Sequence, residues 1–142
     1  MKHIIIFMFA LVLLSCAATE EKVGLFERYN TYKSEIIKHK SNLILPMLSK
    51  NRRNKIKSLG EKEFPILSSF PSILHKNINH YTKINSNIGC LTINGYGENN
   101  SPIVLSIKYL YENNEWLIDF VEIYYADSAK EFQTKGICPS ES

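Results

Sequence analysis

Hydrophobic positions along this chain follow three patterns in succession. From Ile4 to Leu14 they form one unbroken run. From Leu25 onward they recur every three or four residues, and beyond Asn87 they alternate with polar ones. In the second region Leu25, Tyr29, Tyr32 and Ile36, with Phe26, Lys33 and Ile37 beside them, predict an amphipathic helix over residues 25–40. Ser41 and Asn42 offer a break or a cap. A second helix over residues 43–59 places Met47, Leu48, Ile56 and Leu59 near one face, with Pro46 in its first turn and Gly60 as its stop. A third helix starts at Ser69 or Pro71 and carries Ile73, Leu74, Ile78 and Tyr81 as its apolar side, while residues 61–68 stay ambiguous.

The period-two region predicts strands over residues 90–96, 103–111 and 116–125. The last two are joined through Asn113-Asn114, a pair suited to the left-handed backbone of a two-residue hairpin turn. Setting Glu112 opposite Glu115 pairs Tyr111 with Trp116, Tyr109 with Ile118, Ile107 with Phe120 and Ile103 with Tyr124, all on a core face. The same register sets Lys108 across from Asp119 on the opposite face. Glu122 then points inward with Phe120 and Tyr124, which places it at the rim of a pocket or signals a bulge. A looser turn at residues 98–101 brings Leu91 and Ile93 beside Ile107 and Leu105, with Cys90 on the other face. From Asp127 the tail predicts a short helix, capped by Asp127 or Ser128 and ended by Gly136, with Ala129 and Phe132 facing inward.

The apolar run near the N-terminus follows Met1, Lys2 and His3 and ends at Ser15, Cys16 and Ala17, the anatomy of an export signal. A permanent span needs about 20 apolar residues, and this run is well short of that. Leu13, Leu14, Ser15 and Cys16 resemble the lipobox of bacterial lipoproteins. That resemblance implies cleavage before Cys16, diacylglycerol on its sulfur and further acylation, such as palmitate, on the new amino group. Two or more acyl chains hold a protein stably on a membrane. Ala17, in place of the aspartate that retains enteric lipoproteins at the inner membrane, implies an outer-membrane anchor facing the periplasm. The alternative is an ordinary secreted protein cut after Ala17, which loses Cys16. The expected organisation is a signal peptide over residues 1–15, a lipidated tether over 16–23 and a single domain over 24–142.

Lipidation of Cys16 leaves Cys90 and Cys138, and an oxidising compartment predicts a disulfide between them. The alternative is two free thiols, although no CxxC spacing supports reactivity. The chain has a net charge of +3, too little to argue for a nucleic-acid partner.

Sites of chemistry are sparse. His75 and His80, five apart, would point about 140° apart on a helix and make no metal pair. No cofactor motif or phosphate-binding glycine loop is present, and no catalytic constellation appears, so a non-enzymatic role is expected. The most unusual surface feature is basic: Lys50, Arg52, Arg53, Lys55 and Lys57 crowd the second helix, flanked by Lys38, Lys40 and Lys62. Such a run is either a solvated helix face or a docking surface for an acidic protein or anionic lipid heads.

Helices followed by strands indicate an α+β fold, with N-terminal helices packed on a three- or four-stranded antiparallel sheet and the tail tied back by the disulfide. The stretch Ile107-Lys108-Tyr109-Leu110-Tyr111 through Asn114-Glu115-Trp116-Leu117-Ile118-Asp119 resembles exported domains of the nuclear-transport-factor-two-like or cystatin-like kind. Some members of that superfamily are enzymes using an Asp-His pair, and no such pair stands at matching positions here. Two roles follow as expectations. One is an envelope-anchored protein that binds another protein, in the manner of an inhibitor or immunity protein, held to the membrane through Cys16. The other is a small-molecule carrier or sensor with a pocket between helices and sheet lined by Tyr29, Tyr32, Tyr109, Trp116, Phe120 and Glu122.

Overall fold

The protein is described by a computed structural model over residues 23–39, 44–59 and 64–140. The stretch expected to be an export signal, and Cys16, therefore lie outside the described residues. The first apolar stripe winds as helix α1 (Leu25–His39), with Leu25, Tyr29 and Tyr32 buried against the sheet. Helices α2 (Lys50–Leu59) and α3 (Phe64–Ser69) follow, and then four strands: β1 (Lys76–Asn85), β2 (Ile88–Tyr96), β3 (Pro102–Glu112) and β4 (Glu115–Tyr125). The strands pair in chain order as an antiparallel meander. This is an α+β fold with the helices N-terminal to the sheet, as the sequence pattern predicts.

The core lies between the helices and one sheet face. Leu91 and Ile93 stand opposite Ile107 and Leu105, as the alternation predicts, and all four are buried beneath Tyr29, Tyr32 and Phe70. Helix α1 is fastened along its N-terminal half. The Tyr29 and Tyr32 hydroxyls donate to the carbonyls of Pro71 and Leu67, and Arg28 donates to the Trp116 carbonyl and pairs with Glu115 at 3.0 Å.

Three elements differ from the sequence reading. The expected helix over 43–59 is broken: Leu45–Met47 forms a single 3-10 turn, and Leu48 is extended and bridges to Ile118 in parallel. Helix α2 starts only after Ser49, whose hydroxyl accepts the Arg52 N–H at 3.0 Å as an N-cap. Pairing the backbone of Leu48 and Ser49 with β4 satisfies groups that a continuous helix would have kept for itself.

The expected third helix is replaced by α3, a 3-10 turn at Phe70–Ser72 and the strand β1. The spacing of Ile73, Leu74, Ile78 and Tyr81 suits a helix, but the two-residue turn at Ser86 and Asn87 folds residues 76–85 back on β2. Ser86 has φ of 53° there. Strand β1 is exposed along nearly its whole length, so it carries no alternating apolar signature.

The tail forms only one 3-10 turn, Ala129–Glu131, in place of a helix running to Gly136. Ala129 is exposed, and Phe132 meets the Tyr96 ring edge-on, with centroids 5.6 Å apart. Beyond it the chain lies as a strap across the second sheet face. The Asn94 amide donates to the Gln133 carbonyl and accepts the Gln133 N–H, and Thr92 Oγ1 accepts the Ile137 N–H at 2.8 Å. Cys90 and Cys138 close the strap as a disulfide, with Cα atoms 4.9 Å apart.

Candidate functional site

The β3–β4 hairpin turns through Asn113 and Asn114, both left-handed with φ of 52° and 66°, and pairs Glu112 with Glu115, Tyr111 with Trp116 and Tyr109 with Ile118. Past that point a bulge intervenes. Lys108 pairs with Phe120, so Asp119 is the extra residue and every later partner moves by one: Ile107 meets Val121 and Ile103 meets Tyr125. The expected pairs Ile107 with Phe120 and Ile103 with Tyr124 are thereby corrected. Phe120 turns away from the core, and Glu122 is exposed instead of pointing inward.

The bulge aims a carboxylate at the start of α2. Asp119 is only 4% exposed, yet its oxygens receive the Ser49 hydroxyl at 2.7 Å, the Lys108 ammonium at 2.9 Å and the Asn51 amide at 3.4 Å. Burial alone raises its pKa. The Ser49 hydrogen bond, the Lys108 hydrogen bond and charge, and the Asn51 amide outweigh burial and hold the carboxyl below the ordinary aspartate value. Beside this cluster lies a surface cleft of about 380 Å³, bounded by Asn51, Lys108, Phe120 and the strap around Cys138.

The five cations of α2 take different places. Arg52 is 6% exposed, its guanidinium 5.5 Å from the centroid of the Phe120 ring, and Arg53 donates to the Leu48 carbonyl at 2.6 Å. Lys50 and Lys57 are exposed, and Lys55 is half-buried. Lys50 also donates its backbone N–H to Glu112 at 3.0 Å, which pins the first turn of the helix to the hairpin. The helix thus turns Arg52 toward the sheet and Arg53 back onto the chain at Leu48, while Lys50 and Lys57 face solvent.

Comparison with protein-family models, curated proteins and solved structures finds no match for the chain.

The residues expected to line a pocket do not come together around one. Tyr29, Tyr32 and Tyr109 are 0% exposed and Trp116 is 2% exposed, and their side chains fill the space between helices and sheet. Phe120 and Glu122 lie elsewhere. Burial pushes the Tyr29 phenol up to about 12 and those of Tyr32 and Tyr109 higher still, so none of the three is set up for proton transfer near neutrality. His80 stacks flat on Phe26 at a centroid distance of 3.8 Å, and no group of three or more His, Cys, Asp or Glu side chains converges among the described residues. Also among the described residues, no helix is long and apolar enough to cross a membrane.

Sequence reasoning passed over Ser49 and Asn51. Placing the start of the helix at Leu43 hid the signal, which is a serine three residues ahead of the N–H that it caps. The Lys108–Asp119 pair was legible, although it forms across a bulge and not between regular partners.

Proposed function

We propose that this chain is an envelope-anchored lipoprotein that binds a protein partner without catalysing a reaction, and that the solvent side of α2 is its docking surface. The observation that carries the docking surface is the sorting of charge on that helix. Lys50 and Lys57 face solvent, while Arg52 and Arg53 hold the helix down on Phe120 and Leu48. A basic surface on a helix pinned at Ser49 and Glu112 is preorganised, so little ordering cost accompanies docking of an acidic partner. The closed packing of Tyr29, Tyr32, Tyr109 and Trp116 weighs against the carrier reading, because a ligand there would have to displace core side chains.

The anchor rests on Leu13, Leu14, Ser15 and Cys16. Mass spectrometry of the mature chain is expected to find an acylated Cys16 at its N-terminus, and an unmodified start at Ala18 would end the lipoprotein reading. Docking is tested by cross-linking in intact envelopes. A Lys50→Glu/Lys57→Glu variant is expected to lose the cross-linked species that the native chain forms, and raised salt to weaken it. Equal capture by both forms would remove α2 as the surface.

A further inference from the structure

The two edges of the sheet are finished differently. At β4 the segment around Leu48 and Ser49 bridges to Ile118 and covers part of the edge. At β1, among the described residues, no strand pairs with the outer side of a ten-residue strand. A long open edge presents a row of backbone donors and acceptors ready for another strand.

The register sorts the side chains of β1 into two rows. Thr82 stands opposite Leu91, His80 opposite Ile93 and Ile84 opposite Gly89, so these three lie on the helix side, and the bulge between Asn77 and Asn79 leaves Ile78 on that side as well. Ile78 and Ile84 are 45% and 56% exposed, so the apolar layer continues past β2 without a cover. On the strap side stand Lys76 opposite Tyr96, Asn79 opposite Asn94, Tyr81 opposite Thr92 and Lys83 opposite Cys90. Lys76 and Lys83 are exposed, and no aspartate or glutamate occurs anywhere from His75 to Gly97.

From this arrangement we infer that β1 accepts a fifth strand from a partner protein: an extended segment with apolar side chains toward the helices and carboxylates toward the strap. Apolar residues on one row would rest on Ile78 and Ile84 and extend the core layer. Carboxylates on the other would meet Lys76 and Lys83, and since one residue between those lysines is bulged, the carboxylates stand six positions apart on the same face of the added strand. The same lysines oppose pairing with a second copy of this chain, because a symmetric β1–β1 contact offers them no carboxylate. Edge lysines are a common guard against self-association, and a guard of that kind admits a strand of opposite charge.

A capped ten-residue peptide of alternating valine and glutamate is the probe, with a valine–lysine peptide as its counterpart, added to the full mature chain. The glutamate peptide is expected to bind and to slow amide exchange within β1, and the lysine peptide to do neither. In a Lys76→Glu/Lys83→Glu variant, which alters only exposed side chains, the preference should reverse, with about a tenfold change for each peptide. The Lys50→Glu/Lys57→Glu variant should bind the glutamate peptide as the native chain does, which separates this edge from the α2 surface. Failure of the glutamate peptide to bind, slowed exchange outside β1, or a preference that survives charge reversal would each overturn the inference. Concentration-dependent dimers with β1 protected would also overturn it and assign the edge to a second copy.

Discussion

The Ser49 hydroxyl donates a 2.7 Å hydrogen bond to Asp119 while accepting the Arg52 N–H, so one side chain both caps α2 and ties it to the bulge in β4. The helix that carries the basic surface is therefore positioned by a carboxylate on the sheet. Lys108 completes the arrangement from the neighbouring strand at 2.9 Å.

Asp119→Ala is expected to destabilise the fold by about 1–3 kcal/mol, since the buried Ser49 hydroxyl loses a charged acceptor, as does the exposed Asn51 amide. Urea titration monitored by circular dichroism measures it. Asp119→Asn tests the charge alone. The folded carboxyl has a depressed pKa, so its contribution is present above the unfolded-state pKa and is lost as pH falls through the folded one. The native chain should therefore lose stability below about pH 4 more steeply than the asparagine variant. Parallel acid limbs would show that the cluster contributes nothing through its charge.

Opening the disulfide releases a closure spanning a sequence separation of 48. Cys138→Ser is expected to lower stability by about 4 kcal/mol on the chain-entropy account, less whatever hydrogen bonding to Thr92 and Asn94 retains. Amide exchange should rise along the strap before it rises in β2 and β3. Uniform loss of protection would mean that the strap and the sheet unfold as one unit.

Tyr109 and Tyr32 are both fully buried, but only one hydroxyl is satisfied. Tyr32 donates to the Leu67 carbonyl at 3.1 Å, whereas Tyr109 finds no hydrogen-bond partner among the described residues. Tyr32→Phe should cost about 1 kcal/mol and Tyr109→Phe should be neutral or slightly stabilising, as thermal denaturation will show.

The buried tyrosines also set an alkaline limit. Burial raises the Tyr29 phenol to about 12, above its unfolded value, so that contribution is intact below about pH 10 and is lost as pH rises toward 12. Absorbance at 295 nm should show Tyr29, Tyr32 and Tyr109 ionising only as the near-ultraviolet circular dichroism collapses.

Gly136 lies where the strap crosses the sheet, and a Cβ there would stand 2.7 Å from the Lys83 nitrogen and 2.8 Å from the Thr82 carbonyl carbon. Both are backbone atoms that cannot swing aside. Gly136→Ala should lift the strap and destabilise the fold by about 1–3 kcal/mol. A disulfide that forms more slowly on oxidative refolding would locate the defect in the strap.

Much of the fold was legible where local pattern and packing agree. The stripe Leu25, Tyr29 and Tyr32 specifies α1, and Asn113-Asn114 specifies the hairpin and its first pairs, because a left-handed turn leaves a single register near it. Register was lost at Asp119. The alternation there continues through the bulge unbroken, and only the misdirected Glu122 hinted at it. Strand β1 was missed for a related reason: exposed on both faces, it gives hydrophobic periodicity nothing to detect. The candidate site was half legible. The lysines and arginines of α2 stood out in the chain, but which of them turn inward depends on Phe120 and the Leu48 carbonyl, which lie outside the helix.

By itself the sequence determined the order of helices before strands, the turn residues, and which thiols could join once Cys16 is set aside, because these follow from side-chain chemistry acting over a few neighbours. Only the tertiary structure decided where β4 bulges, that residues 76–85 extend instead of coiling, and which cations reach solvent. Those outcomes depend on hydrogen bonds and contacts between residues far apart in the chain, such as Ser49 with Asp119, and no local periodicity encodes them.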